Sequence, residues 1–214
     1  MGLMREGAGL KDTLILKVDP ASPDLKMIKY AAKILKGGGL VAFPTETVYG
    51  IGANILDEEA IERLYKVKER PGNKPFTVHI AGLSQVKSLG CTLDARAKKL
   101  AKKFWPGPLT MVVASDGGGS IGFRMPANKV ALLLIKSSGV PVAAPSANLS
   151  GRKPPTDAPS VLMDMRGKID VIIDSGPTDV GVESTVADLT VKPFKVLREG
   201  AIREKELRKI LADG

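Results

Sequence analysis

The sequence is poor in the residues that build disulfides and metal sites. It contains one cysteine, Cys91, and one histidine, His79, among 214 residues. A lone cysteine cannot form an internal disulfide, which fits a reducing, cytoplasmic setting. Zinc sites built from several Cys and His side chains are excluded. A Ser-His-Asp triad would have to use His79, which no nucleophile-elbow sequence accompanies.

Long apolar runs are also missing. No run reaches the length that a membrane helix needs, so we expect no membrane partner. Residues 1–11 are glycine-rich and polar and lack the apolar centre of a signal peptide, so we expect a flexible N-terminus without function. Residues 12–214 contain neither an internal repeat nor a shift in composition, which predicts a single domain.

Two common nucleotide-binding signatures are absent. The glycines Gly117, Gly119 and Gly122 have the spacing of a dinucleotide fingerprint. Arg124-Met125-Pro126 follows them, however, where the fingerprint requires a helix. No Walker A sequence occurs anywhere in the chain. Both signatures are therefore excluded.

Positive charge is abundant. Lys and Arg number 32 against 23 Asp and Glu, which gives a formal net charge of +9. This excess favours anionic partners such as nucleotides, RNA or both, although a solvated lysine-rich surface would have the same composition. A basic amphipathic helix is predicted over residues 94–104, with its lysines facing outward.

The order of predicted elements indicates the fold class. Apolar β-branched runs alternate with helical patterns for most of the length, which predicts an α/β fold. Ser22-Pro23 is interpreted as the start of the first helix, with the serine as N-cap, and Asp57 is the predicted N-cap of the second. The strands predicted over residues 186–189 and 194–197 are close together, so we expect an antiparallel part and a mixed sheet.

The segment from Phe43 to Gly50 follows a short apolar strand at residues 40–42. Pro44 cannot donate a ladder hydrogen bond and should end that strand. Three hydroxyls and a carboxylate come next, and Gly50 and Gly52 are interpreted as letting the backbone bend. Polar side chains directly after a buried strand lie where open α/β sheets bind ligands. An ordinary strand-to-loop transition is the alternative.

Two further segments carry pairs of polar residues spaced by two. Pro71 disfavours a helical conformation at Arg70, so the second helix should end near Lys68, and both side chains can then point the same way. Ser146 and Asn148 follow another short strand, and in an extended chain they share a face from which they can donate and accept hydrogen bonds. A turn that bonds its own backbone is the alternative for this second pair.

In combination, these segments resemble the YrdC-like family, whose signature is a K-x-R sequence paired with a distant S-x-N. The resemblance also includes Trp105-Pro106-Gly107-Pro108-Leu109-Thr110, Arg124-x-Pro126, Gly181-x-x-Ser184-Thr185 and Leu197-Arg198-x-Gly200. It extends from about Leu14 to the last helix and is closest to the short, single-domain form. It implies a twisted mixed sheet with flanking helices around a large positive cavity.

Members of the family are threonylcarbamoyl-AMP synthases. The resemblance implies a nucleotidyltransferase that uses ATP, L-threonine and bicarbonate, and whose product supplies threonylcarbamoyladenosine in tRNA through a separate transfer complex. Mg²⁺ is expected with the ATP, with few or no direct protein ligands. The alternatives are a tRNA- or double-stranded-RNA-binding module without this activity, or a carbamoyltransferase-type relative.

The resemblance also implies roles for individual residues. Lys68 and Arg70 would be the catalytic pair near the phosphates. The implied ATP contacts are Arg70, Lys74, Ser120, Ser146, Asn148, Thr156 and Arg198. The implied threonine contacts are Thr47, His79, Arg124 and Ser184. No metal site on the protein is implied.

Overall fold

The computed structural model describes residues 12–72 and 74–212. The strands in these ranges are β1 Leu14–Lys17, β2 Val41–Phe43, β3 Gly50–Asn54, β4 Val78–His79, β5 Leu109–Ala114, β6 Ser120–Arg124, β7 Val142–Ala143, β8 Val171–Asp174, β9 Thr185–Asp188 and β10 Lys195–Arg198. The helices are α1 Leu25–Lys36, α2 Glu58–Lys68, α3 Ser84–Ser88, α4 Ala95–Phe104, α5 Lys129–Ser138, α6 Ala158–Met165 and α7 Glu204–Ala212. The predicted flexible N-terminus, residues 1–11, lies outside the described residues. The assignment of residues 12–214 to one domain stays a prediction.

The strands form one sheet in the order β1-β8-β2-β3-β7-β4-β6-β5-β9-β10. Four neighbouring pairs are parallel: β1 with β8, β2 with β8, β4 with β6, and β5 with β9. The remaining neighbours run antiparallel, including the late pair β9 and β10. The predicted α/β fold with a mixed sheet is therefore confirmed.

Helices cover both faces of the sheet, and the alternation along β2 shows why. Val41 and Phe43 pack with α1 and α5, whereas Leu40 and Ala42 pack with α2 and α6 on the other face. Successive side chains of a strand point to opposite faces, so a strand that is apolar at every position must be buried on both. A third apolar cluster joins α4 and α7 to β5 and β9.

Helix capping confirms one predicted start and corrects another. Asp57 caps α2, since its carboxylate accepts a hydrogen bond from Ala60 N at 3.1 Å. For α1 the predicted N-cap, Ser22, is wrong. The cap is Asp24, an extended residue whose carboxylate accepts from Lys26 N at 2.7 Å. A carboxylate there also faces the positive end of the helix dipole, which favours the aspartate over the serine.

The segment after β2 differs from the expected bend. Gly50 and Gly52 lie inside a buried strand, β3, which pairs antiparallel with β2. A Cβ at position 52 would lie 3.0 Å from side-chain atoms of Leu35, Phe43 and Val142. The glycine therefore allows close packing at the centre of the sheet.

No helix in the described part of the chain is long and apolar enough to cross a membrane.

Candidate functional site

Two adjoining cavities open above the middle of the sheet, with volumes of about 590 and about 710 Å³. We call the first the strand cavity; its polar wall residues are Thr45, Arg70, Thr77, His79, Thr110, Arg124, Ser146, Glu183, Ser184 and Arg198. We call the second the loop cavity; its polar wall residues are Lys68, Arg70, Lys74, Ser146, Asn148, Ser150, Arg152, Glu183 and Arg198. Arg70, Ser146, Glu183 and Arg198 line both cavities, which therefore share a wall.

Strand pairing assembles the strand cavity. The parallel register of β4 and β6 places His79 opposite Arg124, and paired residues of neighbouring strands present their side chains on the same face. Ser184 directly precedes β9, and its Oγ lies 3.0 Å from Thr110 Oγ1 on β5. The sheet thus brings together three predicted threonine contacts that are far apart in the sequence.

Arg124 is a buried cation held by the segment after β2. Its Nη2 donates to Thr47 Oγ1 at 2.8 Å and lies 2.9 Å from Glu46 Oε1. Within the described residues neither oxygen of Glu46 accepts a well-aligned hydrogen bond, so this second contact is an ion pair. Burial lowers the pKa of Arg124, and the Glu46 carboxylate opposes that shift. Nη1 of Arg124 donates to no described residue and remains open for a ligand.

Thr47 has a different place from the one predicted. It is fully buried and lies on the wall of neither cavity. Its hydroxyl lies 2.9 Å from Thr45 Oγ1 and accepts a hydrogen bond from Arg124. Thr47 therefore holds the Arg124 side chain in position without lining the cavity. Thr45 closes this segment by accepting from Val48 N and donating to Val48 O.

His79 lines the strand cavity as a neutral imidazole. Burial disfavours the imidazolium, and the nearby Arg124 charge adds to this effect, so the pKa of His79 lies well below its usual value. Its Nδ1 is buried and has no hydrogen-bond partner among the described residues. An unpartnered ring nitrogen is costly in a core and is satisfied when a ligand supplies the partner.

Lys68 ends α2 and is buried, with 2% of its surface exposed. Its Nζ donates to the backbone oxygens of Ser146 at 2.5 Å and Asn148 at 2.6 Å. The ammonium group therefore fixes the S-x-N segment, whereas the sequence placed it near the phosphates. Burial, with a smaller contribution from the Arg70 charge, lowers the pKa of Lys68 to about 8.

Arg70 reaches the shared wall because the chain turns sharply after α2. Glu69 adopts a left-handed conformation with φ of 50°. Arg70 Nε then donates to the Lys74 oxygen at 2.9 Å, and its guanidinium lies 5.2 Å from the centre of the Phe76 ring. Burial lowers the pKa of Arg70, and the Arg198 charge adds to this effect.

Arg198 approaches the same wall from β10. Its Nη1 donates to Glu183 Oε1 at 2.6 Å, and its Nε and Nη2 donate to the oxygen and Oγ of Ser184 at 3.1 and 3.2 Å. Asn148, on the loop-cavity side, donates to the oxygens of Leu149 and Arg152. Its Oδ1 is buried and accepts from no described residue, which leaves an acceptor for a ligand.

Two predicted ATP contacts lie away from both cavities. Ser120 is exposed at the start of β6 and borders a separate depression with Tyr65 and Phe76. Thr156 borders another depression beside Lys153, and its backbone oxygen accepts from Thr178 N at 2.8 Å. Strand β6 carries Arg124 into the strand cavity at its far end, so its first residue lies on a different part of the surface.

The predicted contacts did not include Glu46, which pairs with Arg124. They also did not include six polar residues of the cavity walls: Thr45, Thr77, Thr110, Ser150, Arg152 and Glu183. Glu46 and Glu183 each directly precede a predicted threonine contact in the sequence. A carboxylate beside such a contact was the signal that could have identified them as site residues. Thr110 ends a segment that the resemblance included. Arg152 has no comparable signal. Among the described residues, no group of three or more His, Cys, Asp or Glu could hold a metal ion.

The geometry gives the two cavities different capacities. The strand cavity offers the open Nη1 of Arg124, a neutral imidazole and five hydroxyls, which suits a small ligand with a carboxylate and polar groups. The loop cavity offers lysines, arginines and an amide, which suits a phosphorylated ligand. The shared wall would bring the two ligands into contact.

Comparison with known proteins adds independent information. The Sua5/YciO/YrdC family model, described as "Telomere recombination", matches residues 33–200. The threonylcarbamoyl-AMP synthase of Pyrococcus abyssi is 46% identical over 210 residues, which are 94% of this chain and 62% of that protein. The threonylcarbamoyl-AMP synthase of Bacillus subtilis is 41% identical over 203 residues, covering 90% of this chain and 59% of that one.

A solved structure agrees with the sequence comparison. The crystal structure of P. abyssi Sua5 complexed with L-threonine superposes with a TM-score of 0.89 at 45% identity, over 94% of this chain and 62% of that one. This chain therefore spans about three fifths of the length of these relatives.

Proposed function

Because the chain belongs to the Sua5/YciO/YrdC family, we propose that it is a threonylcarbamoyl-AMP synthase. In this nucleotidyltransferase reaction, L-threonine, bicarbonate and ATP give L-threonylcarbamoyladenylate and pyrophosphate. The observation that carries the proposal is the wall shared by an arginine-histidine cavity and a cation-rich cavity. The binding of L-threonine by P. abyssi Sua5 supports an amino-acid site in this fold.

The amino acid fits the strand cavity. Its carboxylate matches the open side of the Arg124 guanidinium, and Ser184 and the unpartnered Nδ1 of His79 can hydrogen-bond its other groups. The ATP phosphates match the loop cavity, where Lys74, Arg152 and Arg198 line the wall. Arg70 and Ser146 stand between the two, where the reacting groups would meet.

The reaction is mainly one of positioning. The threonine amine and bicarbonate form a carbamate with loss of water. A carbamate oxygen then attacks the α-phosphorus of ATP, and the bond to pyrophosphate breaks with its electrons leaving on pyrophosphate. Arg70 and Arg198 would hold the developing phosphoryl charge at the shared wall. Lys68 would act indirectly, by fixing the Ser146–Asn148 backbone.

Mg²⁺ is part of the proposal only as a companion of ATP. Glu183 is the single carboxylate on the described walls of the two cavities, and it already accepts from Arg198. These residues do not form a cage of oxygen ligands for the ion. The ion would therefore bind through the phosphates, and we assign no step to it.

Omission assays test the proposal. Pyrophosphate release from ATP should require both L-threonine and bicarbonate. Release that continues without threonine would contradict the proposed activity.

We further propose that the product supplies threonylcarbamoyladenosine in tRNA through a separate transfer complex. We also propose that the chain works in the cytoplasm, where its lone buried Cys91 would stay reduced.

A second candidate activity, RNA binding, is favoured by helix α4. Lys98, Lys102 and Lys103 are exposed on this helix, while Ala97 and Leu100 are buried beneath them. Double-stranded RNA is recognised mostly through its shape and backbone, so binding should weaken steeply with salt.

Duplex RNA titrations at several salt concentrations test this second candidate. Combined replacement of the three lysines by alanine should weaken binding and reduce the salt slope by about one per lost phosphate contact. Replacing exposed Lys33, Lys36 and Lys136, which lie on other helices, is the matched control. Affinity that hardly responds to salt would argue against a phosphate-dominated interface.

A further inference from the structure

Glu183 places a negative charge in a site whose other ionisable wall residues are cations or a neutral histidine. It is the one carboxylate among the described residues that line the strand cavity and the loop cavity. It also raises the pKa of Lys68, Arg70 and Arg124 against the effect of burial, so its charge acts on both cavities. A carboxylate on the wall of a phosphate site repels phosphate, unless another ligand brings a cation to it.

The backbone around Glu183 is tightly fixed. Its oxygen accepts from Ala201 N at 3.0 Å, and Gly181 N donates to the Thr47 oxygen at 3.0 Å. A Cβ at Gly200 would lie 2.1 Å from the Glu183 oxygen, so only glycine permits this approach. The chain therefore presents the Glu183 side chain from a defined position at the shared wall.

The Glu183 carboxylate is only half satisfied. Oε1 accepts from Arg198 Nη1 at 2.6 Å, whereas Oε2 accepts from no described residue. The side chain is 33% exposed, so the open oxygen can be reached from the cavities. One oxygen thus anchors the group, and the other can accept a hydrogen bond from a ligand.

We infer that Glu183 binds the ammonium group of the amino-acid substrate and selects amino acids over the corresponding hydroxy acids. This inference rests on the proposed function. Ser184, the next residue, lines the strand cavity with Arg124, so one face of this wall offers a cation for the substrate carboxylate and an anion for its amine. Once the ammonium group has released a proton to water, the amine at the shared wall faces the loop cavity, where a carbamate formed on it would meet the nucleotide.

Ligand titrations on Glu183→Gln test the inference. Glutamine keeps the size and can still accept from Arg198, but it loses the negative charge. We expect affinity for L-threonine to fall at least tenfold. Affinity for 2,3-dihydroxybutanoate, in which a hydroxyl replaces the amine, should change by less than about twofold, and ATP should bind equally or more tightly. Glu62→Gln, at an exposed position on α2, is the charge-matched control.

Each other outcome has a definite meaning. Equal losses for threonine and the hydroxy acid would assign Glu183 to holding Arg198 and overturn the inference, as would unchanged threonine affinity. A loss confined to Mg²⁺-ATP would assign the carboxylate to the metal and also overturn it. Glu183→Asp, which keeps the charge, should restore part of the preference for threonine and guards against a folding defect. If the wild-type chain does not bind threonine, it is the proposed function that fails.

Discussion

The strand cavity and the loop cavity differ in whether their buried positive charges are paired with carboxylates of the protein. In the strand cavity, the buried Arg124 faces Glu46 and His79 is neutral, so the protein itself compensates the charge of Arg124. In the loop cavity, Lys68, Arg70 and Lys74 form no ion pair within the described residues, and the Lys68 ammonium rests on two backbone oxygens. The first arrangement suits a zwitterionic ligand, and the second suits an anionic ligand.

This difference has an energetic consequence. Separating a buried ion pair leaves an uncompensated charge, which costs about 3–5 kcal/mol, so the Arg124–Glu46 pair should stay intact whether or not a ligand is bound. Cations without a protein partner repel one another, and the Arg70 charge adds to burial in lowering the pKa of Lys68 to about 8. An arriving triphosphate would relieve that repulsion. The loop cavity should therefore respond to ligand more strongly than the strand cavity.

The largest expected effect is that of Arg70→Ala, which removes a cation from the wall between the cavities. Loss of a charge-assisted contact to the reacting phosphoryl group should lower the rate of adenylate formation by roughly 10²–10³-fold. The rate and thermal melting should be measured together, because Arg70 also donates to the Lys74 and Pro75 oxygens. The exposed Arg166 supplies the control, Arg166→Ala. A folded Arg70→Ala variant with a near-normal rate would mean that a cation on the shared wall matters no more for adenylate formation than one elsewhere on the surface.

A pH-dependent effect of intermediate size is expected from Lys68. Burial lowers its pKa to about 8 in the folded chain from the ordinary value of 10.5. Between these two pH values the unfolded chain binds the extra proton, so the stability contributed by this group rises with pH from 8 to 10.5, by up to about 3 kcal/mol. Below pH 8 that contribution is constant.

Denaturant unfolding of the wild type and Lys68→Met across pH 7 to 10.5 measures this effect. The wild type should gain stability relative to the variant over that window. ATP should raise the folded pKa and flatten the gain. Lys136→Met, at an exposed lysine on α5, should show no such difference. A wild-type curve parallel to that of Lys68→Met would mean that the loop cavity does not disfavour the ammonium.

The parts of the fold that could be predicted from the sequence obey local rules. Strand β2 ends at Phe43, before Pro44, and α2 begins after Asp57 and ends at Lys68, before Pro71. The role of Gly52 in β3 was misjudged because it is explained by contacts with Leu35 and Val142, which are distant in the sequence. A local pattern cannot distinguish a glycine that bends the chain from one that lets two elements approach.

The same distinction applies to the site. The K-x-R and S-x-N segments were predicted to belong together, and the structure joins them on one cavity. That Lys68 binds the backbone of Ser146 and Asn148 could not be foreseen, because the contact spans 78 and 80 residues. Glu183 was missed for another reason. A carboxylate in a chain with an excess of cations and predicted phosphate contacts has no evident role until the open cavity beside it is known.

The smallest expected effect sharpens the comparison most, since it changes geometry and keeps charge. Arg124→Lys leaves a cation for Glu46 but removes the planar guanidinium, so the fold should survive while the substrate carboxylate loses the hydrogen bonds that Nη1 would donate. We expect threonine to bind about tenfold more weakly, or about 1.4 kcal/mol, and Arg124→Ala to weaken it at least as much. ATP affinity measured without threonine should change far less, because Arg124 lines only the strand cavity. Calorimetry on each ligand separately decides the matter. An Arg124 variant that loses ATP and keeps threonine would mean that the two ligands occupy the cavities in the reverse order.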